Sequence, residues 1–287
     1  MISLLDDAHA ILGEGPVWVA AEQCLYWVDI KGQRLNAYRL HDAMVRRWAF
    51  PGDLAWVLPR RSGGFVAGSG HHIGFLSVGE ALGFTPFVEV EPDLAGNRLN
   101  DAKIDIDGSI LFGTMDDAES AATGSLYRLL PSMEIQKLDQ GYVVANGPAI
   151  DPISGKVYHT DSAARQVYSF EREEGRLVNK KIFIQFQEDQ GFPDGMTVDG
   201  EGALWVAHWA GARISRFLPD GRLDYSLPVP AAQVTSCCFG GEGLDKLYIT
   251  TASIHLSASM RLEQPHAGGL FVAGVDVPGS PSPTFSG

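Results

Sequence analysis

Six short apolar-aromatic runs recur along this chain at a spacing in the forties, and that period restricts the fold more than any other feature. The runs are Tyr26-Trp27-Val28, Phe65-Val66-Ala67, Leu111-Phe112, Val157-Tyr158, Leu204-Trp205 and Leu247-Tyr248-Ile249. Their first residues lie 39, 46, 46, 47 and 43 positions apart. Four strands of about five residues, with their turns, fill a unit of roughly 40–50 residues, which is the size of a propeller blade. Two further echoes keep the same register. A third-strand pattern appears as Arg34–Tyr38, Ser125–Leu129, Gln166–Phe170, Arg213–Phe217 and Gly269–Ala273. Tight-turn chemistry precedes the second strand at Asp105-Ile106-Asp107-Gly108, Asp151–Gly155 and Asp199–Gly202. The expected fold is all-β, a six-bladed β-propeller with four-stranded antiparallel blades, forming one domain over residues 1–287.

Within the first blade, strands are expected at Pro16–Trp18, Leu25–Asp29, Arg34–Tyr38 and Val45–Phe50, with hairpin turns at Lys31-Gly32-Gln33 and, in the next blade, Gly63-Gly64. A ring must be closed by its termini, so the apolar residues Ile2, Leu4 and Leu5 are expected to add a strand to the last blade. A helical turn could fall at 77–82 or 118–122. The tail from about 278 to 287 has the Pro, Ser and Gly content of a linker and is expected to be flexible.

The ring geometry gives meaning to residues that would otherwise read as ordinary turn positions. Gly13-Glu14-Gly15-Pro16 is echoed by Asn146-Gly147-Pro148, by Pro193-Asp194-Gly195 and by Asn97-Arg98-Leu99-Asn100-Asp101. Equivalent points on different blades face one axis, so Glu14, Asn100, Asn146 and Asp194 are expected to converge there. The matching points on the other two blades fall near Leu54 and Cys237, which makes that side of the channel apolar. Two carboxylates and an amide are hard oxygen donors suited to Ca²⁺, Mg²⁺ or Mn²⁺, and a site with open water positions could equally take Zn²⁺ or Fe²⁺. Arg98 offers a fork of donors for hydroxyl or carboxylate oxygens. Asp101 could orient it or a water. Asp116 and Asp117 could bind substrate hydroxyls or remain turn acids. His159 and His208 read as packed strand residues, and Ser162 has no partner His at a telling spacing.

Bulk properties remove other classes. A formal net charge of -13 disfavours nucleic acid and anionic membranes as partners. Three cysteines, two of them adjacent, make no disulfide framework and suit a reducing compartment. With no cationic-then-apolar leader and no apolar run of about 18 residues, the expected location is cytoplasmic. No nucleophile elbow or phosphate-binding glycine pattern occurs.

Taken together, Leu12–Trp18, Asn97–Asp101, Phe112-Gly113-Thr114-Met115, Asn146-Gly147-Pro148 and Pro193-Asp194-Gly195 closely resemble the gluconolactonase–regucalcin family, also called the senescence marker protein family. The resemblance covers nearly the whole chain. It implies a six-bladed propeller that binds one divalent cation and hydrolyses a sugar lactone such as glucono-, xylono- or arabinonolactone. It further implies Glu14, Asn146 and Asp194 as metal ligands, Asp194 also as the acid/base, and Arg98 and Asn100 as substrate contacts. Some relatives carry a sugar-binding Glu a few residues beyond the Gly-Thr-Met segment. Here that neighbourhood reads Asp116-Asp117-Ala118-Glu119, with Asp117 the candidate contact. A calcium-binding or scaffold propeller, and a broader ester or organophosphate hydrolase, stay open as alternatives, as do a monomer and a small homo-oligomer.

Overall fold

The computed structural model describes residues 2–287. Among them are six sheets of four antiparallel strands each. In the first blade the strands run outward in chain order as Gly13–Val19, Cys24–Asp29, Arg34–Arg39 and Met44–Ala49. The inner strands of blades two to six are Leu54–Pro59, Asn97–Ile104, Ala145–Ile150, Phe192–Val198 and Val234–Gly240. Each inner strand packs on the next, and Gly13–Val19 meets both Leu54–Pro59 and Val234–Gly240, which completes a ring.

The second strands are the recurring apolar runs of the sequence. Cys24–Asp29 and Ile110–Asp116 are buried at every position, because both faces of these strands are covered by neighbouring blades. Large rings fill the wedges between blades. Trp56 lies 6.4 Å from Phe112, and Trp205 lies 6.1 Å from Phe239 with the rings edge to face. The ring is closed as the sequence predicts. Ile2–Asp6 pairs antiparallel with Leu270–Gly274 and becomes the outer strand of blade six.

Every inner strand carries a bulge near the same level. One extra residue interrupts the pairing between Glu14 and Val17, Leu99 and Ala102, Asn146 and Ala149, and Pro193 and Met196. The same happens between Leu54 and Trp56 and between Val234 and Ser236. A bulge re-aims the side chains beside it, which is why bulges accumulate at functional sites. Gly15 and Gly147 sit in two of them at φ +52° and +71°, a conformation that favours glycine.

One expectation needs correction. No helical turn forms at 77–82 or 118–122. Short helical segments occur instead at Ala20–Glu22, Glu188–Gln190 and Ala258–Glu263. The segment 278–287, which has linker composition, lies along the ring. Pro278 and Gly279 contact blade five at Gly200 and Asp199. Phe285 is fully buried against blade two, with backbone hydrogen bonds to Pro59 and Arg61. Between these anchors, Ser280, Ser282 and Pro283 line a void of about 70 Å³ together with Lys103, Thr197 and Phe239. Lys103 and Thr197 lie beyond the bulges, toward the C-terminal ends of their inner strands, so the tail covers the channel mouth opposite the bulged level. Among the described residues no helix is long and apolar enough to cross a membrane.

Candidate active site

The bulges direct Glu14, Asn100, Asn146 and Asp194 toward one cavity of about 410 Å³. All four line it, as do Arg98 and Asp117, so the sequence-derived residues are brought together. Their phase is finer than the sequence suggests. Glu14 and Asn146 are the last paired residues before their bulges, whereas Asn100 and Asp194 lie inside theirs. The donors therefore occupy two adjacent positions of the repeat.

The apolar wall is not where the repeat phase put it. Leu54 and Cys237 are buried in cores between blades and do not line the cavity. The bulge residues of blades two and six are Ala55 and Thr235, and the Thr235 hydroxyl is spent on the Gly13 carbonyl at 2.6 Å. Leu12, Met115, Val144, Phe192, Trp209 and Ile254 supply the apolar surface instead. Most of these lie at strand ends, where repeat phase carries little information.

The floor of the cavity is acidic. Glu14 is 9%, Asn146 6% and Asp194 5% exposed. Burial, then the negative charges of Glu14 and Asp101, pushes the Asp194 carboxyl well above its ordinary range. Burial first and Asp101 second do the same to Glu14, partly opposed by the Gly15 N–H and by Lys103 and Arg98. Asp101, 3% exposed, does not orient Arg98. Its Oδ1 accepts from its neighbour Ala102 at 2.7 Å, and its Oδ2 has no partner among the described residues.

The floor offers buried oxygen atoms whose hydrogen-bonding demand a cation could meet. Asp194 Oδ1 is buried with no hydrogen-bond partner among the described residues. An uncompensated buried carboxylate is costly, and a cation would relieve it. Among the described residues no three His, Cys, Asp or Glu side chains group around one point. The third donor would accordingly be the Asn146 amide oxygen, and the set Glu14, Asn146 and Asp194 could hold a hard divalent ion with water in its remaining positions. Because the cation-free carboxyls hold protons above their usual range, ion binding is expected to release protons and to tighten as pH rises through that raised range. Glu14→Gln is expected to weaken binding by at least ~1.4 kcal/mol, a factor of ten, and to reduce the proton release. Calorimetry in two buffers of different ionisation enthalpy checks both, and unchanged affinity would remove Glu14 from the site.

One wall carries a chain of charged hydrogen bonds. Arg98 donates from Nε to Asp117 Oδ1 at 2.6 Å and from Nη1 to Asn100 Oδ1 at 2.6 Å. Asp117 Oδ1 is also met by Lys31 Nζ at 3.3 Å, and Lys31 reaches Asp53 at 2.7 Å. Burial alone would raise the Asp117 carboxyl, but the Arg98 bond and the two cations hold it below the ordinary range. Asp116 is a turn acid: it accepts from the Ala118, Ser120 and Ala121 N–H groups and from the Ser120 hydroxyl. Glu119 lines the cavity at φ +53°.

His159 and His208 are core residues, as read from the sequence. Desolvation lowers them to about 3 and about 4, so both are neutral at pH 7. Sequence reasoning missed Lys31 and Ser162. Lys31 and Asp117 each lie three residues past the partner of the last paired position before the bulge, Val28 opposite Glu14 and Thr114 opposite Leu99. Opposite charges at equal phase were the available signal for Lys31. Ser162 offered none.

Comparison with known proteins agrees with this architecture. The family profile described as SMP-30/Gluconolactonase/LRE-like region matches residues 12–253. An L-arabinolactonase of Azospirillum brasilense is 35% identical over 290 residues, which is 99% of this chain and 95% of that protein. A regucalcin of Xenopus laevis is 32% identical over 285 residues, 96% and 95% of the two chains. The crystal structure of a calcium-binding protein, regucalcin, from Agrobacterium tumefaciens superposes with a TM-score of 0.93 at 25% identity, covering 98% of this chain and 96% of that one.

Proposed function

The chain belongs to the SMP-30/gluconolactonase/LRE-like family, and from that premise we propose that it is a lactonase that opens a sugar lactone to its aldonic acid. The observation that carries the proposal is the buried trio of Glu14, Asn146 and Asp194, gathered at the floor of a cavity of about 410 Å³ with an unpartnered Asp194 oxygen. A neutral lactone rich in hydroxyl groups suits a cavity that offers it hydrogen-bond donors and acceptors from Arg98, Asn100 and Asp117.

A divalent cation held by Glu14, Asn146 and Asp194 would supply Lewis acidity to the lactone carbonyl. Its identity is open among Ca²⁺, Mg²⁺, Mn²⁺, Zn²⁺ and Fe²⁺, and the all-oxygen donor set favours the first three. Asp194 acts as the general base. Its Oδ1, buried and unpartnered among the described residues, leaves it able to take a proton from the attacking water as the water oxygen bonds to the carbonyl carbon. Breaking the ring C–O bond then returns a proton to the departing ring oxygen, so one lactone and one water give one hydroxy acid. Arg98 is held on two sides by Asp117 and Asn100, which leaves Nη2 for substrate oxygens. Asp117 contributes by fixing Arg98 through Oδ1, with Oδ2 left to accept from a sugar hydroxyl. Glu119, whose carboxylate has no partner among the described residues, is a further acceptor.

A pH-indicator assay on glucono-, galactono-, xylono-, arabinono- and rhamnonolactone tests the proposal. Acid release above the spontaneous rate is expected for at least one of them. Chelator should abolish it and added divalent ions restore it. Silence on the whole panel with every ion would overturn the assignment.

A further inference from the structure

Asn146 presents an amide with a donor end and an acceptor end, and only the acceptor end can face a cation. What decides the orientation lies outside the trio. Ser162 is buried just after the second strand of blade four, and its Oγ bridges two blades. It donates to the Pro193 carbonyl at 2.6 Å and accepts from Asn146 Nδ2 at 3.0 Å. A carbonyl oxygen can only accept, so the Ser162 proton is committed to Pro193. What Ser162 offers Asn146 is therefore a lone pair, and only the NH₂ end can use it.

The other side of the amide is constrained in the same sense. Asn100 Nδ2 donates to the Ala145 carbonyl at 2.8 Å and to Asn146 Oδ1 at 3.0 Å. Turning the Asn146 amide over would set its NH₂ against the Asn100 NH₂, and its oxygen against a Ser162 oxygen whose proton is already committed. Both contacts would be mismatched. Pro193 also immediately precedes Asp194, so the same hydroxyl ties the strand that carries Asp194 to the residue that carries the amide.

We infer that Ser162 is a positioning residue: it fixes the Asn146 amide with Oδ1 toward the cavity and anchors the Pro193 peptide beside Asp194. The inference rests on the reading of Glu14, Asn146 and Asp194 as a cation site. Residues that orient ligands through hydrogen bonds influence affinity by roughly 10–100-fold.

Two measurements on the full chain, each with wild type and Ser162→Ala, test it. Calorimetric titration with Ca²⁺ is expected to show a 10–100-fold weaker ion affinity in the variant. In the cation-free protein, NMR is expected to show the Asn146 side-chain NH₂ protected from exchange in wild type and unprotected in the variant. Equal affinity together with equal protection would overturn the role of Ser162. If wild type binds no divalent ion, the cation-site reading fails, and the exchange measurement still decides what orients Asn146. Should Ser162→Ala fail to fold, Ser162→Cys keeps the volume, weakens both hydrogen bonds and is expected to shift both measurements in the same direction.

Discussion

Asp194→Asn is expected to lower kcat for lactone opening by roughly 10²–10⁴-fold at saturating divalent ion, the range for loss of a general base. Asparagine keeps an oxygen in nearly the same place, so the ion is retained better than in Asp194→Ala. What is lost is the site that accepts the proton. Burial, Glu14 and Asp101 all raise the proton affinity of Asp194 above that of a free carboxyl, and its Oδ1 is unengaged. A bound cation pulls that affinity down again, so the activity should fall with acidification as Asp194 becomes protonated, and this limb should vanish in Asp194→Asn. Measuring kcat against pH for both proteins, with ion affinity measured separately, checks this. A variant within tenfold of wild type at full ion occupancy would move the base elsewhere.

Phe285→Ala is expected to cost about 3–5 kcal/mol, the usual range for emptying a fully buried aromatic site. For a chain of this size that is a melting shift on the order of 10 °C. Phe285 is 0% exposed and belongs to the apolar cluster of blades one to three, although only two residues follow it in the chain. The backbone around it is laced to Pro59, Arg61 and Gly108. We propose that the tail acts as a strap that joins blade five to blade two across the far mouth, a second closure beside the pairing of Ile2–Asp6 with Leu270–Gly274. Thermal unfolding of Phe285→Ala, and of a chain ending at Pro278, reads the effect. A shift below about 2 °C in both would mean that the tail lies on the ring without holding it. Lactone turnover at 25 °C should be little changed by Phe285→Ala, because the tail and the catalytic cavity sit at opposite ends of the channel.

The contrast between these two regions explains what could be read in advance. Glu14, Asn146 and Asp194 sit in a repeat, and a repeat converts sequence position into spatial position. Asn100 came from the same logic, and Arg98 from being the one cation of the segment Asn97–Asp101. Asp117 was found through its neighbourhood, but its engagement by Arg98 and Lys31 was not, because a hairpin-turn lysine gives no local sign of which blade it will lean toward. Phe285 lies outside the repeat, in a segment whose composition is that of a linker. Its burial depends on a pocket built by blades one to three, which no local pattern encodes.

By itself, the sequence determined the six-blade ring, the strand that closes it and the set of oxygen donors at its axis. These follow from periodicity, and each blade must bury both faces against its neighbours. Only the tertiary structure decided that the donors occupy two adjacent phases, that residues at strand ends form the apolar wall, that Ser162 hydrogen-bonds both Asn146 and Pro193 and that the tail lies along the ring. The physical reason is the range of the interactions. Strand alternation and turn chemistry act within a few residues, whereas a bulge's aim, a shared proton and a filled pocket depend on groups brought together from different blades.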